Sequence, residues 1–289
     1  MRLTPDTVIF GLTAATILVV GLELEIGRIR DLAGRRLLLP GRLLGQMLLL
    51  PALAILLVRM APMPEETRIV VLILAACPTG NIANFFTLLA RGNLPLSVSG
   101  SALSCLLAPI VMPVTFALYG KLAGGAFFFT APQRSLLLRI FALTWAPILL
   151  GIALRSILSQ KAARVSALLQ AAGAIGIVAL CVFLCATRAG YLVADLKTNV
   201  TVSAALMLAA LAGAAGLSRV LRLSTADAAC FMIVFPARNI GVLAAVVVAT
   251  LHHLDDLVFI LIYFVLETLL MLAVALAYRW RSSSQTVST

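Results

Sequence analysis

The 289-residue chain has few charges: only 11% of its residues are Asp, Glu, Lys or Arg, whereas 62% are hydrophobic. A soluble protein of this length carries about a quarter charged residues. Apolar runs near 20 residues recur along the chain, and runs of that length cross a hydrocarbon core of about 30 Å. The composition therefore predicts an all-α, polytopic protein embedded in a lipid bilayer.

Catalytic constellations are also missing. The hydrophobic segments contain no paired aspartates, metal-ligand cluster or Ser/His arrangement of the kind that a membrane-embedded enzyme needs. Cys181 and Cys185 lie one helical turn apart without His or acidic neighbours, so we interpret them as packing residues. We predict that the protein is not an enzyme.

The formal net charge of +11 raises the question of a nucleic-acid partner. Most Lys and Arg residues lie between apolar runs, and they neither alternate with aromatic residues nor form a nucleic-acid motif. Membrane topology explains the charge better, because basic residues concentrate in cytoplasmic loops. We predict no nucleic-acid partner.

The apolar runs define nine predicted spans in a single transporter domain, 1–281. They are 8–26, 42–60, 68–90, 95–119, 136–155, 164–187, 199–218, 226–250 and 256–278. Within that domain we predict two inverted repeats, about 1–120 and 130–281. The remaining residues, 282–289, are polar and are predicted to form a disordered cytoplasmic tail.

The basic residues outside the span centres predict the orientation. One side of the membrane receives thirteen of them, including Arg42, Arg155 and Lys161, and the other side receives eight, including Lys121. The positive-inside rule then places the N-terminus outside and the C-terminus in the cytoplasm. We predict residence in the plasma (inner) membrane. Arg238 is the one basic residue left inside a span.

Two spans share the pattern Pro-x-x-Asn-Ile, at Pro78–Ile82 and Pro236–Ile240. Each follows about ten apolar residues, and the five spans between them make the two segments cross the membrane in opposite directions. Proline frees backbone carbonyls, which a membrane tolerates only where they are buried in protein or line water. The pattern predicts two broken helices of inverted topology that form a binding site. Chance repetition or simple proline kinks are the alternatives.

The span after the first motif carries Ser97, Ser101 and Ser104 on one helical face. Such a stripe serves either close helix packing or a polar site beside the broken helix.

The stretch CPTGNIANFFTLLARGNLPLSVSGSALSCLLAPIVMP resembles the signature of the bile acid:sodium symporter family. GQMLLLP at 45–51 and RNIGVLAA at 238–245 match further family positions in order. The resemblance implies a core domain crossed by two discontinuous helices, a panel domain beside it, and symport by alternating access. This chain resembles the nine-span form of the family.

The resemblance also implies two sodium positions, here in weakened form. Asn84, Ser97 and Ser101 match side-chain ligands of one ion, and Gln46 matches a ligand of the other. Ala83 stands where a serine is usual. Val234 stands where the family has a glutamate between both ions, and Arg238 replaces a glutamine one turn later. Apart from sodium at these two positions, we predict no cofactor.

Four residues are predicted to bind substrate: Asn81, Asn239, Arg238 and Glu267. Arg238 either substitutes for a sodium ion or binds an anionic substrate through its planar fork. Glu267 is either a structural partner of Arg238 or a group that exchanges protons during transport.

The leading function is secondary active transport of small-molecule organic anions, either bile-acid-like molecules or small carboxylates. The alternatives are a proton-coupled carrier that uses Glu267 and a sensor or receptor with a transporter fold. No particular oligomeric state is indicated.

Overall fold

The computed structural model describes residues 5–24, 38–122, 133–158, 161–251 and 257–286, and every regular element in these ranges is helical. In chain order the helices are α1 (Pro5–Glu23), α2 (Leu38–Met60), α3 (Glu65–Ala76), α4 (Ile82–Leu89), α5 (Leu94–Leu122), α6 (Gln133–Leu158), α7 (Ala162–Thr187), α8 (Ala189–Ala194), α9 (Leu196–Val220), α10 (Thr225–Val234), α11 (Ile240–Leu251) and α12 (Leu257–Thr286).

Six helices within the described ranges are long and apolar enough to cross a membrane. They are α2, α5, α7, α9, the part Ile140–Leu158 of α6 and the part Leu257–Arg281 of α12. Shorter apolar helices cover Thr7–Glu23, Thr225–Val234 and Ile240–Leu251. Each predicted span overlaps one helix or a pair of short ones, but the count of nine spans stays a prediction.

The first predicted interruption is present between α3 and α4. Helix α3 ends at Ala76, and the next helical residue is Ile82. Cys77 has φ −65° and ψ 149°, an extended conformation. A residue that precedes proline is driven out of the helical region, so Pro78 explains this exit.

The second interruption lies between Val234, where α10 ends, and Ile240, where α11 begins. Phe235 keeps helical angles of φ −67° and ψ −49° although it precedes Pro236, so the chain turns through the proline before it leaves the helix. Both predicted interruptions are confirmed, and they differ in local geometry.

Proline alone does not cause these breaks. Pro109 and Pro113 lie inside α5, and Pro147 lies inside α6, yet both helices continue through them. Helix α2 is also not interrupted by its proline, but Gly45–Leu49, just before Pro51, forms a π-helical turn. A proline ring clashes with the carbonyl four residues earlier, and a π turn relieves that clash.

Helix α1 packs tightly against α6 and α7 through glycine. A Cβ atom on Gly21 would lie 3.0 Å from the Cα atom of Gly151, and a Cβ atom on Gly176 would overlap Leu12. Small residues allow membrane helices this close approach. The broken helices contact one another and α5, α9 and α12, and α11 also packs against α1 and α6. This packing is compatible with the predicted panel and core.

Two sequence-based assignments change. Arg42 was counted among the loop charges, but it is 0% exposed within α2, because the helix begins at Leu38 and carries Arg42 into the protein interior. Removing it leaves twelve basic residues against eight. Helix α12 continues to Thr286, so the backbone of 282–286 is helical where a disordered tail was predicted. Residues 287–289 lie outside the described ranges.

Candidate functional site

The two breaks touch each other directly. The backbone N–H of Asn239 donates to the carbonyl oxygen of Pro78 over 2.9 Å. A Cβ atom on Gly80 would lie 2.5 Å from the carbonyl oxygen of Arg238 and 3.4 Å from Cα of Asn239. The broken segments therefore cross at their interruptions, and glycine permits the close approach.

A second contact joins the far ends of the same segments. The N–H of Asn93, just after α4, donates to the carbonyl of Ala226 over 3.0 Å. Its side-chain Nδ2 donates to Oδ1 of Asp227 over 2.6 Å. The end of α4 thus lies beside the beginning of α10, as two segments that cross in opposite directions require.

The two motif asparagines have different partners. Nδ2 of Asn81 donates to the carbonyl of Thr16 over 3.0 Å, which ties the first break to α1. The buried Oδ1 of Asn81 has no hydrogen-bond partner. Oδ1 of Asn239 accepts from the N–H of Val242 over 3.1 Å and so caps α11. Asn81 keeps a free acceptor at the crossing.

Arg238 is 1% exposed, and its guanidinium lies between the two breaks. Nη1 donates to the carbonyl of Cys77 over 3.4 Å, and Nη2 donates to the carbonyl of Phe235 over 2.9 Å. These carbonyls belong to the residues that precede Pro78 and Pro236. The guanidinium therefore donates hydrogen bonds to two backbone carbonyls that the breaks free. Its Nε has no hydrogen-bond partner.

Helix α12 supports the second break. Oε1 of Glu267 accepts the backbone N–H of Arg238 over 2.9 Å, and the Tyr263 hydroxyl donates to the carbonyl of Pro236 over 2.6 Å. Glu267 is 0% exposed and its Oε2 has no hydrogen-bond partner. Glu267 is thus joined to Arg238 through the backbone rather than through a hydrogen bond to the guanidinium.

Three of the predicted cation ligands form a buried polar cluster between α4 and α5. The Ser97 hydroxyl donates to Oδ1 of Asn84 over 2.8 Å, and the Thr87 hydroxyl lies 3.3 Å from Ser97 Oγ. Ser101 is held in the same cluster by Arg42, whose Nη2 donates to Ser101 Oγ over 3.3 Å and to the Ser97 carbonyl over 3.4 Å. Arg42 was not predicted as a member of this site.

The site has room for Arg42 because Gly100 has no side chain. A Cβ atom on Gly100 would overlap the guanidinium: it would lie 2.7 Å from Nε and closer still to Cζ and Nη1. One signal in the sequence was available: Arg42 precedes Gln46 by four residues, and residues four apart share a helix face.

Gln46 lies apart from that cluster, beside the first break. Its Nε2 donates to the Thr79 hydroxyl, and its buried Oε1 has no partner. The Thr79 N–H donates to Ser104 Oγ over 3.1 Å. Gln46, Cys77, Pro78 and Ser104 line a small cavity. The serine stripe on α5 thus serves both polar clusters, and Thr79 was not predicted.

A second, apolar crevice lies between α1, α7, α11 and α12. Thr13 and Gly241 line it together with aliphatic side chains of all four helices. A Cβ atom on Gly241 would lie 3.4 Å from Oδ1 of Asn239. The crevice therefore ends close to the crossing.

Comparison with known proteins decides the family. The model of the sodium bile acid symporter family matches residues 12–196, which is most of the chain. This chain belongs to that family. The match includes the first break, α4 and α5, and it ends before the second break.

Relatives in this family carry the names of membrane transporters. The Bacillus subtilis protein named uncharacterized sodium-dependent transporter YocS is 28% identical over 161 residues, 56% of this chain and 49% of that protein. The Arabidopsis thaliana probable sodium/metabolite cotransporter BASS1, chloroplastic, is 32% identical over 149 residues, 51% of this chain and 35% of that protein. Human sodium/bile acid cotransporter 4 is 38% identical over 71 residues, 25% of this chain and 16% of that protein. The matches thus span about half the relatives' length or less.

The residues at the first predicted position do not fit the sodium ion that the family name implies. The available oxygens are neutral, Val234 supplies no carboxylate, and the guanidinium of Arg42 already donates to Ser101 and Ser97. Two like unit charges about 4 Å apart repel by about 4 kcal/mol at an effective dielectric constant of about 20. A sodium ion among these oxygens would face that repulsion.

The residues at the second predicted sodium position, beside Gln46, do not fit a sodium ion either. Unwound backbone carbonyls are the groups that coordinate cations in broken-helix transporters. Here the Cys77 and Phe235 carbonyls accept hydrogen bonds from Arg238 instead. Gln46 nearby is directed to Thr79. Neither predicted position combines a carboxylate with unoccupied oxygens.

Proposed function

We propose that the protein is a secondary active transporter of organic anions that works by alternating access. The observation that carries this proposal is the crossing itself: two interrupted helices bonded at their breaks around a buried arginine. Irregular backbone at membrane depth is tolerated where it is buried in protein or lines a cavity, and transporters place substrate sites there. Membership of a transporter family supports the same function.

The proposal includes the predicted architecture. With nine spans and two inverted repeats, the segments that contain α4 and α10 cross the membrane in opposite directions. The contact of Asn93 with Ala226 and Asp227 supports that arrangement. Movement of α1, α6 and α7 relative to the crossed helices then exposes the crossing alternately to the two sides.

The expected substrate has an apolar body and an anionic head. The crevice between α1, α7, α11 and α12 offers an apolar surface that ends near Asn239. Arg238 supplies a guanidinium that suits a carboxylate, and Asn81 supplies a free acceptor for a substrate hydroxyl or amide. Bile-acid-like molecules and smaller apolar carboxylates meet these requirements.

A proton-coupled mechanism is a second candidate. The buried Oε2 of Glu267 has no hydrogen-bond partner, and a protonated carboxyl tolerates such a position better than a carboxylate. In this mechanism Glu267 releases and binds a proton as the crossing changes its exposure. Replacement of Glu267 by Gln should then abolish the pH dependence of uptake, whereas unchanged pH dependence contradicts the mechanism.

The experiment for the proposed function has two stages. Purified protein is screened for stabilisation by a set of organic anions, and an anion that stabilises it is tested for uptake into proteoliposomes. We expect Arg238→Ala to lower the affinity for the anion by about tenfold or more, and the exposed control Arg219→Ala to leave it unchanged. Wild-type affinity in Arg238→Ala excludes substrate contact. Binding without uptake identifies a sensor or receptor instead.

A further inference from the structure

Arg42 places a full positive charge in the protein interior without a carboxylate partner. Its guanidinium is 0% exposed, and its hydrogen-bond partners are neutral groups: Ser97 O, Ser101 Oγ and the Cys230 thiol. No ion pair between Arg42 and an acidic side chain occurs within the described residues. A buried charge of this kind is costly in a membrane protein, so it requires a function or a compensating set of dipoles.

The oxygens around Arg42 form such a set. Ser97 and Ser101 belong to the positions where the family resemblance implies sodium ligands, and Arg42 donates to both residues. Gly100 leaves the space into which the guanidinium fits. The cluster therefore has the acceptors and the volume that a cation needs, and a side chain of the same molecule supplies the cation.

Arg238 repeats this arrangement at the crossing. Its guanidinium donates to the Cys77 and Phe235 carbonyls, which the breaks free. Val234, on the preceding turn, is buried and apolar where a shared carboxylate is implied. Val234 in place of a glutamate and Arg238 in place of a glutamine change the charge in the same sense. Each predicted sodium position thus has its own arginine.

We propose that Arg42 and Arg238 are built-in cations that fill the two predicted sodium positions, so that the protein binds no sodium and its transport cycle does not require it. This inference rests on the proposed transport function only for its second half, because cation binding is measurable without substrate. The driving force then comes from exchange of one anion for another or from protons through Glu267.

The first test measures sodium binding to the purified wild-type protein. Melting temperatures are compared in sodium chloride, potassium chloride and sodium gluconate, and retention of radioactive sodium is measured in parallel. We expect equal melting temperatures and background retention. A rise that occurs in both sodium salts and is absent in potassium chloride overturns the proposal.

The second test restores the implied carboxylate and removes the two arginines, while Ala83 stays unchanged. The triple variant Arg42→Ala, Val234→Glu, Arg238→Gln removes both guanidinium groups and adds the carboxylate. We expect it to gain a rise in melting temperature that grows with sodium concentration and is absent in potassium. The matched control is Arg219→Ala, Val220→Glu, Arg222→Gln, which makes the same charge change at exposed positions. A triple variant that folds without any sodium response contradicts the proposal.

A third measurement covers a triple variant that does not fold. Arg42→Lys keeps a positive charge on a smaller group at this position. Arg42→Met replaces the arginine by an uncharged, apolar side chain of similar length. We expect the Lys variant to retain more of the wild-type melting temperature than the Met variant. The opposite order means that Arg42 acts through its volume rather than its charge. None of these readouts uses substrate, so a failed uptake assay bears on the proposed function alone.

Discussion

At the scale of single residues, Arg42 and Arg238 are the most unusual positions, since they are among the largest side chains that are fully buried. Both guanidinium groups donate hydrogen bonds to neutral oxygens. Charged side chains are rare in an apolar protein interior, because their burial is costly. Their environment is built for them: Gly100 makes room for one, and the broken backbone supplies carbonyls for the other.

Gly100→Ala tests whether the Arg42 environment is specific. The added methyl group overlaps the guanidinium, so we expect overpacking to destabilise the protein by about 1–3 kcal/mol. Gly216→Ala is the matched control, because nothing lies within 4 Å of its added Cβ and alanine favours the helix. Thermal unfolding of both purified variants checks this. An equal melting temperature for the two variants contradicts the placement of Arg42.

The sequence predicted part of the site at this scale. Asn84 and Ser97 are bonded to each other as neighbours in one polar cluster, and Asn81, Arg238 and Asn239 meet at the crossing. Arg42 was missed because a basic residue at the start of an apolar run is normally a loop or interface charge. Its burial depends on where α2 begins and on the gap at Gly100, which are tertiary features.

At the scale of helices, the central feature is the pair of breaks and the close backbone contact between them. Pro-x-x-Asn-Ile predicted both interruptions, because proline stops the hydrogen-bond ladder of a helix. Only the second asparagine, Asn239, caps the helix that follows. The pattern did not predict that Phe235 stays helical while Cys77 is extended. The π turn in α2 was also not predicted, since Pro109, Pro113 and Pro147 show that proline has several outcomes in this chain.

Gly80→Ala tests the crossing. The methyl group would meet the carbonyl of Arg238, a backbone atom that cannot rotate away, so the two segments must separate. We expect a clear loss of thermal stability and at least about a tenfold loss of uptake, because a shift near 1 Å at a site costs about a hundredfold in other systems. Gly11→Ala, with open space around its Cβ, should change neither. Full uptake by Gly80→Ala means that the breaks are not in contact.

At the scale of the whole molecule, hydropathy and loop charge predicted an integral membrane protein, and the family assignment and six long apolar helices agree with it. Long apolar runs are a strong signal because only a helix satisfies its own backbone in lipid. The grouping of α1 with α6 and α7 depends on matched glycines in three distant segments, so it could not be read from any single run.

The predicted orientation is testable by labelling of introduced cysteines in a cysteine-free background. Lys121 and Lys161 are both exposed and lie on opposite predicted sides of the membrane. In intact cells a membrane-impermeant maleimide should label Lys121→Cys and should label Lys161→Cys only after permeabilisation. The reverse pattern would place the C-terminus outside.

The most direct test of the account is an experimental map of the protein, recorded in sodium-containing buffer with a stabilising organic anion. We predict contact between the breaks at Pro78 and Asn239, the Arg42 guanidinium against Ser97 and Ser101, and density for the anion beside the crossing. Continuous helix through Pro78 or Pro236, or a sodium ion among these serines with Arg42 turned away, would contradict it.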